Sequence, residues 1–206
     1  LACWMGTTAL AETLIAYNSY LIPPFLYEEQ RGGLAPDLVE YLNQRLAPAY
    51  QLKLENLPRA RLDKLVLSRQ GEQFAGIALF LHPNFVGDTH KRRYLWSQPL
   101  MGDRNLLVFH APLPWPINSL EALNGMRFSG IYSHRYTELD ERVGAGLLKR
   151  EDAADESVNL GKVAARRVDF TQLNQSNFLA LQQRHRDYKE ILVAQPVPGQ
   201  APFNRY

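Results

Sequence analysis

Apolar positions along the first part of the chain alternate between two periods. Residues 13–17, Thr-Leu-Ile-Ala-Tyr, form a short apolar run that reads as a buried strand. Residues 50–55 alternate apolar and polar, as a strand with one covered face does. Between them Leu38, Val39, Leu42 and Leu46 recur at helical spacing from Pro36-Asp37 onward. Asp37 lies near the positive end of the helix dipole, and Pro48 stops the helix. Residues 61–68 place Leu62, Leu65 and Val66 on one helix face, and 74–80 is a continuous apolar run of the kind found in strands covered on both sides. Pro23-Pro24 and Gly32-Gly33 mark turns. This β-α-β-α-β order argues for a largely parallel sheet flanked by helices. Ligands of such sheets sit beyond the carboxyl ends of the strands, where residues 17–20 and 80–83 fall.

A second alternation follows. Residues 106–109 read as a strand and 111–116 as a proline-rich connector. Ser119 caps a short helix at 120–123, and Asn124-Gly125 turns the chain into a strand at 126–131. Helices are expected at 136–143, 160–165 and 177–183, with strands at 168–171 and 191–194. The fold class is therefore α/β in two lobes, each a mostly parallel sheet flanked by helices. Lobe 1 is expected at 12–105 and lobe 2 at 106–195, with 196–206 returning toward lobe 1.

Composition narrows the function. The chain has 206 residues, a formal net charge of +2 and scattered basic residues. It lacks the concentrated positive stripe of a nucleic-acid binder. Its single cysteine, Cys3, forbids an intrachain disulfide. Residues 1–11 are apolar and end in Ala9-Leu10-Ala11, the pattern of a secretory cleavage site, so export to the periplasm is expected. Two other readings of this segment stay open: a buried first element, and a lipoprotein box with Cys3 acylated. No metal or other cofactor is expected: His82, His90, His110, His134 and His185 show no ligand spacing. Motifs of nucleophilic, zinc or nucleotide chemistry are missing, which disfavours an enzyme; Asp88 with His90 is the one acid–base pair to consider.

Several segments in order resemble the bacterial extracellular solute-binding proteins of family 3, the polar-amino-acid type with the type II periplasmic fold. They are Pro23-Pro24-Phe25-Leu26-Tyr27 with Leu34-Ala35-Pro36-Asp37-Leu38-Val39, Leu57-Pro58-Arg59-Ala60-Arg61, residues 91–100, residues 120–130 and Arg167-Val168-Asp169-Phe170. The resemblance spans about residues 13–206. It implies a monomer whose two lobes close on one small molecule, with a membrane permease of an ABC-type transporter as partner; a ligand-sensing domain is the alternative. It also implies two crossings between lobes, the second near Phe203–Tyr206, where this chain stops short of the family's closing helices.

The same resemblance locates the ligand contacts. The family's carboxylate-clamping arginine falls on His90, and its ammonium-binding carboxylate on Asn174. Both departures disfavour an α-amino acid and favour a neutral or differently charged molecule. Tyr17, Asn18, Tyr20, Phe25 and Trp96 are further candidates for the first lobe, although Phe25 and Trp96 have the character of core residues. Arg61 is a candidate whose alternative is a solvated helix arginine. Ser133, His134 and Arg135 follow a strand and are expected to open a helix whose free amides attract an anion; a plain N-cap by Ser133 is the alternative.

Overall fold

The computed structural model describes residues 11–27, 32–67, 76–113 and 116–206. The expected leader at 1–11 therefore lies outside the described residues, save Ala11. The chain forms two compact units, Leu1–Gln98 with Tyr206, and Pro99–Arg205.

In unit 1 the strands β1 (Glu12–Asn18), β2 (Tyr50–Asn56) and β3 (Ile77–Ala78) form a parallel sheet in the order β2-β1-β3. The helices α1 (Leu34–Leu46) and α2 (Arg59–Leu67) connect them. The turn into α1 needs Gly33. Its φ is 116°, and a Cβ there would lie 2.7 Å from the Phe25 carbonyl oxygen, which accepts from the Ala35 amide. Leu57, Leu62, Leu81 and Val86 form a small core, with Tyr17, Tyr20 and Trp96 packed on it. Of the expected strand at 74–80, residues 74–75 lie outside the described residues; among those described, Ile77 and Ala78 pair with β1. Phe80 enters the left-handed region at φ 60°, and its ring meets Phe25 at 4.9 Å, so hydrophobic packing ends the strand here.

Unit 2 holds β4 (Met101–Asp103), β5 (Asn105–His110), β6 (Arg127–Ile131), β7 (Lys149–Ala153), β8 (Phe170–Asn174), β9 (Leu192–Pro196) and β10 (Phe203–Arg205). Its helices are α3 (Thr137–Gly144), α4 (Glu156–Ala164), α5 (Gln175–Arg184) and α6 (Tyr188–Ile191). The main sheet runs β7-β6-β8-β5-β9. β6 is parallel to β7 and β8, whereas β5 is antiparallel to β8 and β9. The sheet is thus mixed, because β5 enters before the β-α-β run and has no crossover helix ahead of it. Phe109, Phe128 and Phe170 pack ring on ring at 5.2–5.6 Å in a core with Leu107, Leu123 and Leu139. Below them Ser129 donates to Asn159 Oδ1, Asn159 Nδ2 to the Gly130 carbonyl and Thr171 to the Ser129 carbonyl, which ties β6, α4 and β8 with satisfied buried polar groups.

The boundary between the units falls at Gln98–Pro99 instead of the expected 105/106. β4 pairs with β10 and so belongs to unit 2. The ribbon is held by a fully buried ion pair, Arg205 Nε to Asp103 Oδ2 at 2.7 Å. Asp103 also accepts from the Ser176 hydroxyl and amide. Tyr206 returns to unit 1: its amide donates to the Leu81 carbonyl, its hydroxyl accepts from Lys91 Nζ at 2.7 Å, and its ring meets Trp96 edge-on. Among the described residues no helix is long and apolar enough to cross a membrane.

Candidate functional site

The carboxyl end of β1 carries the first group of candidates. Asn18 is fully buried and its amide is already used: Oδ1 accepts from the Tyr20 amide, and Nδ2 donates to the Tyr20 carbonyl and to Asn56 Oδ1. It shapes the turn after β1 instead of offering free donors. Phe25 is fully buried between Tyr20 and Phe80, with ring centroids at 4.8 and 4.9 Å, so it is core and not an exposed ligand face. Tyr17 and Tyr20 are half-buried against the unit 1 core. Arg61 is exposed on the first turn of α2, just beyond the end of β2, and has no ion pair among the described residues.

The loop after β3 is organised by a residue that sequence reading did not single out as structural. Asp88 is 3% exposed, and its carboxylate accepts from the amides of Arg92, Arg93 and Tyr94 and from Trp96 Nε1. Burial raises its pKa, but the bonds from Trp96 and then from Arg92, Arg93 and Tyr94 outweigh burial and hold it below the ordinary aspartate value. A carboxylate filled in this way is no general base, and the Asp88–His90 acid–base pair is not formed. Trp96 is half-buried and points its ring at Tyr206. His90 stands exposed on the same loop, and its side chain makes no hydrogen bond among the described residues. The Gly87-Asp88 turn signal was the only hint of this arrangement.

In unit 2, residues 133–135 do not open a helix. α3 begins at Thr137, and the segment before it is an exposed turn with Ser133 at φ 62°. The His134 amide is donated to the Ile131 carbonyl and the Tyr136 amide to Asp140 Oδ2. The free amides expected from a helix start at Ser133 are therefore not formed; the side chains of Ser133, His134 and Arg135 are exposed, as is that of Tyr132, which sequence reading missed. His134 packs edge-on against Tyr136 at 4.5 Å.

Arg150 on β7 fastens this turn. Its Nη2 donates to the carbonyls of Ile131 (3.0 Å) and His134 (3.1 Å), Nε to Asp152, and Nη1 to Asp140. The guanidinium lies 5.3 Å from the Tyr136 ring. Nothing in the Lys-Arg-Glu-Asp-Ala strand announced that role. Asn174 ends β8 half-buried and begins a relay of amides: Asn174 Nδ2 donates to Asn105, Asn105 to Gln200, and Gln200 to Glu138. Asn105 pairs directly with Asn174, so the start of β5 shares one sheet edge with the ends of β6 and β8. Among the described residues no group of three or more histidine, cysteine or acidic residues is placed to hold a metal.

No protein-family model matches the chain. No curated protein sequence matches it significantly. Solved structures do. An ancestral arginine-binding protein bound to arginine superposes with a TM-score of 0.65 at 16% identity, over 96% of this chain and 84% of that one. The substrate-binding protein of an amino acid ABC transporter gives 0.63 at 13% identity, over 94% and 83%. The periplasmic VFT2 domain of Bordetella pertussis BvgS gives 0.60 at 16% identity, over 94% and 78%. With the mixed order β7-β6-β8-β5-β9 in unit 2 and the parallel β2-β1-β3 sheet in unit 1, the chain has the type II periplasmic-binding-protein fold.

Proposed function

We propose that this protein is a non-enzymatic solute-binding protein. It is exported to the periplasm, captures a small polar molecule at the carboxyl ends of its strands and delivers it to an ABC-type permease. The observation that carries the reading is the fold, shared over 94–96% of the chain with proteins named for binding arginine or for serving an amino acid transporter. The strand ends support it. Arg61 and His90 in unit 1, and Ser133 and Arg135 in unit 2, present side-chain polar groups with no partner among the described residues. The Asp88 carboxylate, filled by four hydrogen bonds, speaks against Asp88 with His90 as a catalytic acid–base pair. The apolar segment ending in Ala9-Leu10-Ala11 supports export.

A thermal-shift screen against amino acids, amines, sugars and organic acids tests the reading. A true ligand at a hundred times its dissociation constant adds about 2.7 kcal/mol of stability. A complete absence of stabilisation by every class sinks it. The likeness to the BvgS domain favours a second reading, a periplasmic sensing domain. Finding that the native polypeptide continues into a membrane span and a signalling domain would favour sensing over transport.

A further inference from the structure

We infer that the solute is an anion bearing carboxylate or phosphate groups, whose charge is read on unit 2 by Arg104 and Arg135; this rests on the solute-binding reading above. The two arginines share one edge of the main sheet. Arg135 follows the end of β6, and Arg104 immediately precedes β5, whose first residue pairs with the last residue of β8. In the strand order β6-β8-β5 the two strands they flank lie two strand spacings apart, about 10 Å.

Most acids near that edge are already engaged. Asp103 is taken by Arg205 and Ser176, Asp140 and Asp152 by Arg150, and Glu138 by Gln200. Asp155 accepts the Val158 amide as an N-cap. Glu156 has no ion pair among the described residues, and burial pushes its carboxyl up to about 7, so it carries only part of its charge at neutral pH. The last residue of β8 is the neutral amide Asn174, itself bonded to Asn105. Arg104 and Arg135 are left without an ion pair among the described residues, Arg104 half-buried and Arg135 exposed. A guanidinium fork matches carboxylate and phosphate oxygens in pairs, so an anion is the ligand charge this edge accepts.

Isothermal titration of the whole chain with inorganic phosphate, succinate and citrate tests the inference. L-arginine, L-glutamine and glucose serve as comparisons, all at matched ionic strength. The expected result is binding of at least one anion, with phosphate and carboxylate telling the two chemistries apart. Arg135→Gln and Arg104→Gln should each weaken it about tenfold or more, since each removes a charged hydrogen-bond donor. Lys149→Gln, an exposed cation at the opposite end of β7, should leave it unchanged. A loss in only one arginine variant assigns the charge reading to that residue. Anion binding that survives both variants, or binding of arginine, glutamine or glucose in place of the anions, overturns the inference and leaves the solute-binding reading standing. Binding by none of the six overturns the inference, and the full thermal-shift screen then decides the solute-binding reading separately.

Discussion

Removing the Asp88 carboxylate should unfasten the loop at residues 89–97. Asp88→Ala deletes an acceptor for four donors at 2.7 Å (Arg92 amide), 3.1 Å (Arg93 amide), 3.2 Å (Tyr94 amide) and 2.9 Å (Trp96 Nε1). The Arg92 and Arg93 amides belong to exposed residues, so water replaces much of what they lose. The half-buried Tyr94 and Trp96 carry most of the cost, at about 1–1.5 kcal/mol each, for a total of about 2–3 kcal/mol. Amide hydrogen exchange reads this directly: protection at residues 92–94 should fall roughly 30- to 150-fold, while the β1 and β2 amides change little. Acidity gives a second signature. Because the folded-state pKa is lowered, this stabilisation is complete above the unfolded value of about 4 and is lost as pH falls through the lower folded value. Asp88→Asn should flatten that acid limb. A change below about 0.5 kcal/mol with unaltered exchange at residues 92–94 would refute the reasoning.

Two further outcomes are expected. Asp103→Ala or Arg205→Ala strands a fully buried charge and should cost about 3–5 kcal/mol in urea unfolding, whereas the apolar pair Asp103→Leu with Arg205→Met should cost clearly less; equal losses would show that the partner is not what matters. Burial pushes the Glu156 carboxyl up to about 7, so its contribution is greatest below its unfolded value of about 4.3 and is lost as pH rises through about 7. Glu156→Gln should therefore remove a decline in melting temperature over that window, and a wild-type profile with no such decline contradicts the assignment.

Local pattern was enough for much of the fold and for little of the site. The apolar spacing of Leu38, Val39, Leu42 and Leu46, the alternation at residues 50–55 and the run at residues 106–109 each encode an element, because burying one face of a helix or strand dictates its period. The order of those elements was enough to expect two α/β units. β7 could not be read this way: Lys149-Arg150-Glu151-Asp152-Ala153 shows no apolar alternation and is a strand because β6 offers it a parallel partner. The short strands β4 and β10 exist only by pairing across a hundred residues, which no local window contains. Side-chain chemistry marks a candidate but does not say which group is already bonded. Asn18 and Phe25 have the chemistry of ligand contacts and are consumed internally. Arg104 and Tyr132 carry no sequence signal and flank strand ends, Arg104 half-buried and Tyr132 exposed. Availability is a property of three-dimensional neighbours, since a polar group leaves water only where the folded chain supplies a partner, and tertiary structure alone makes that pairing.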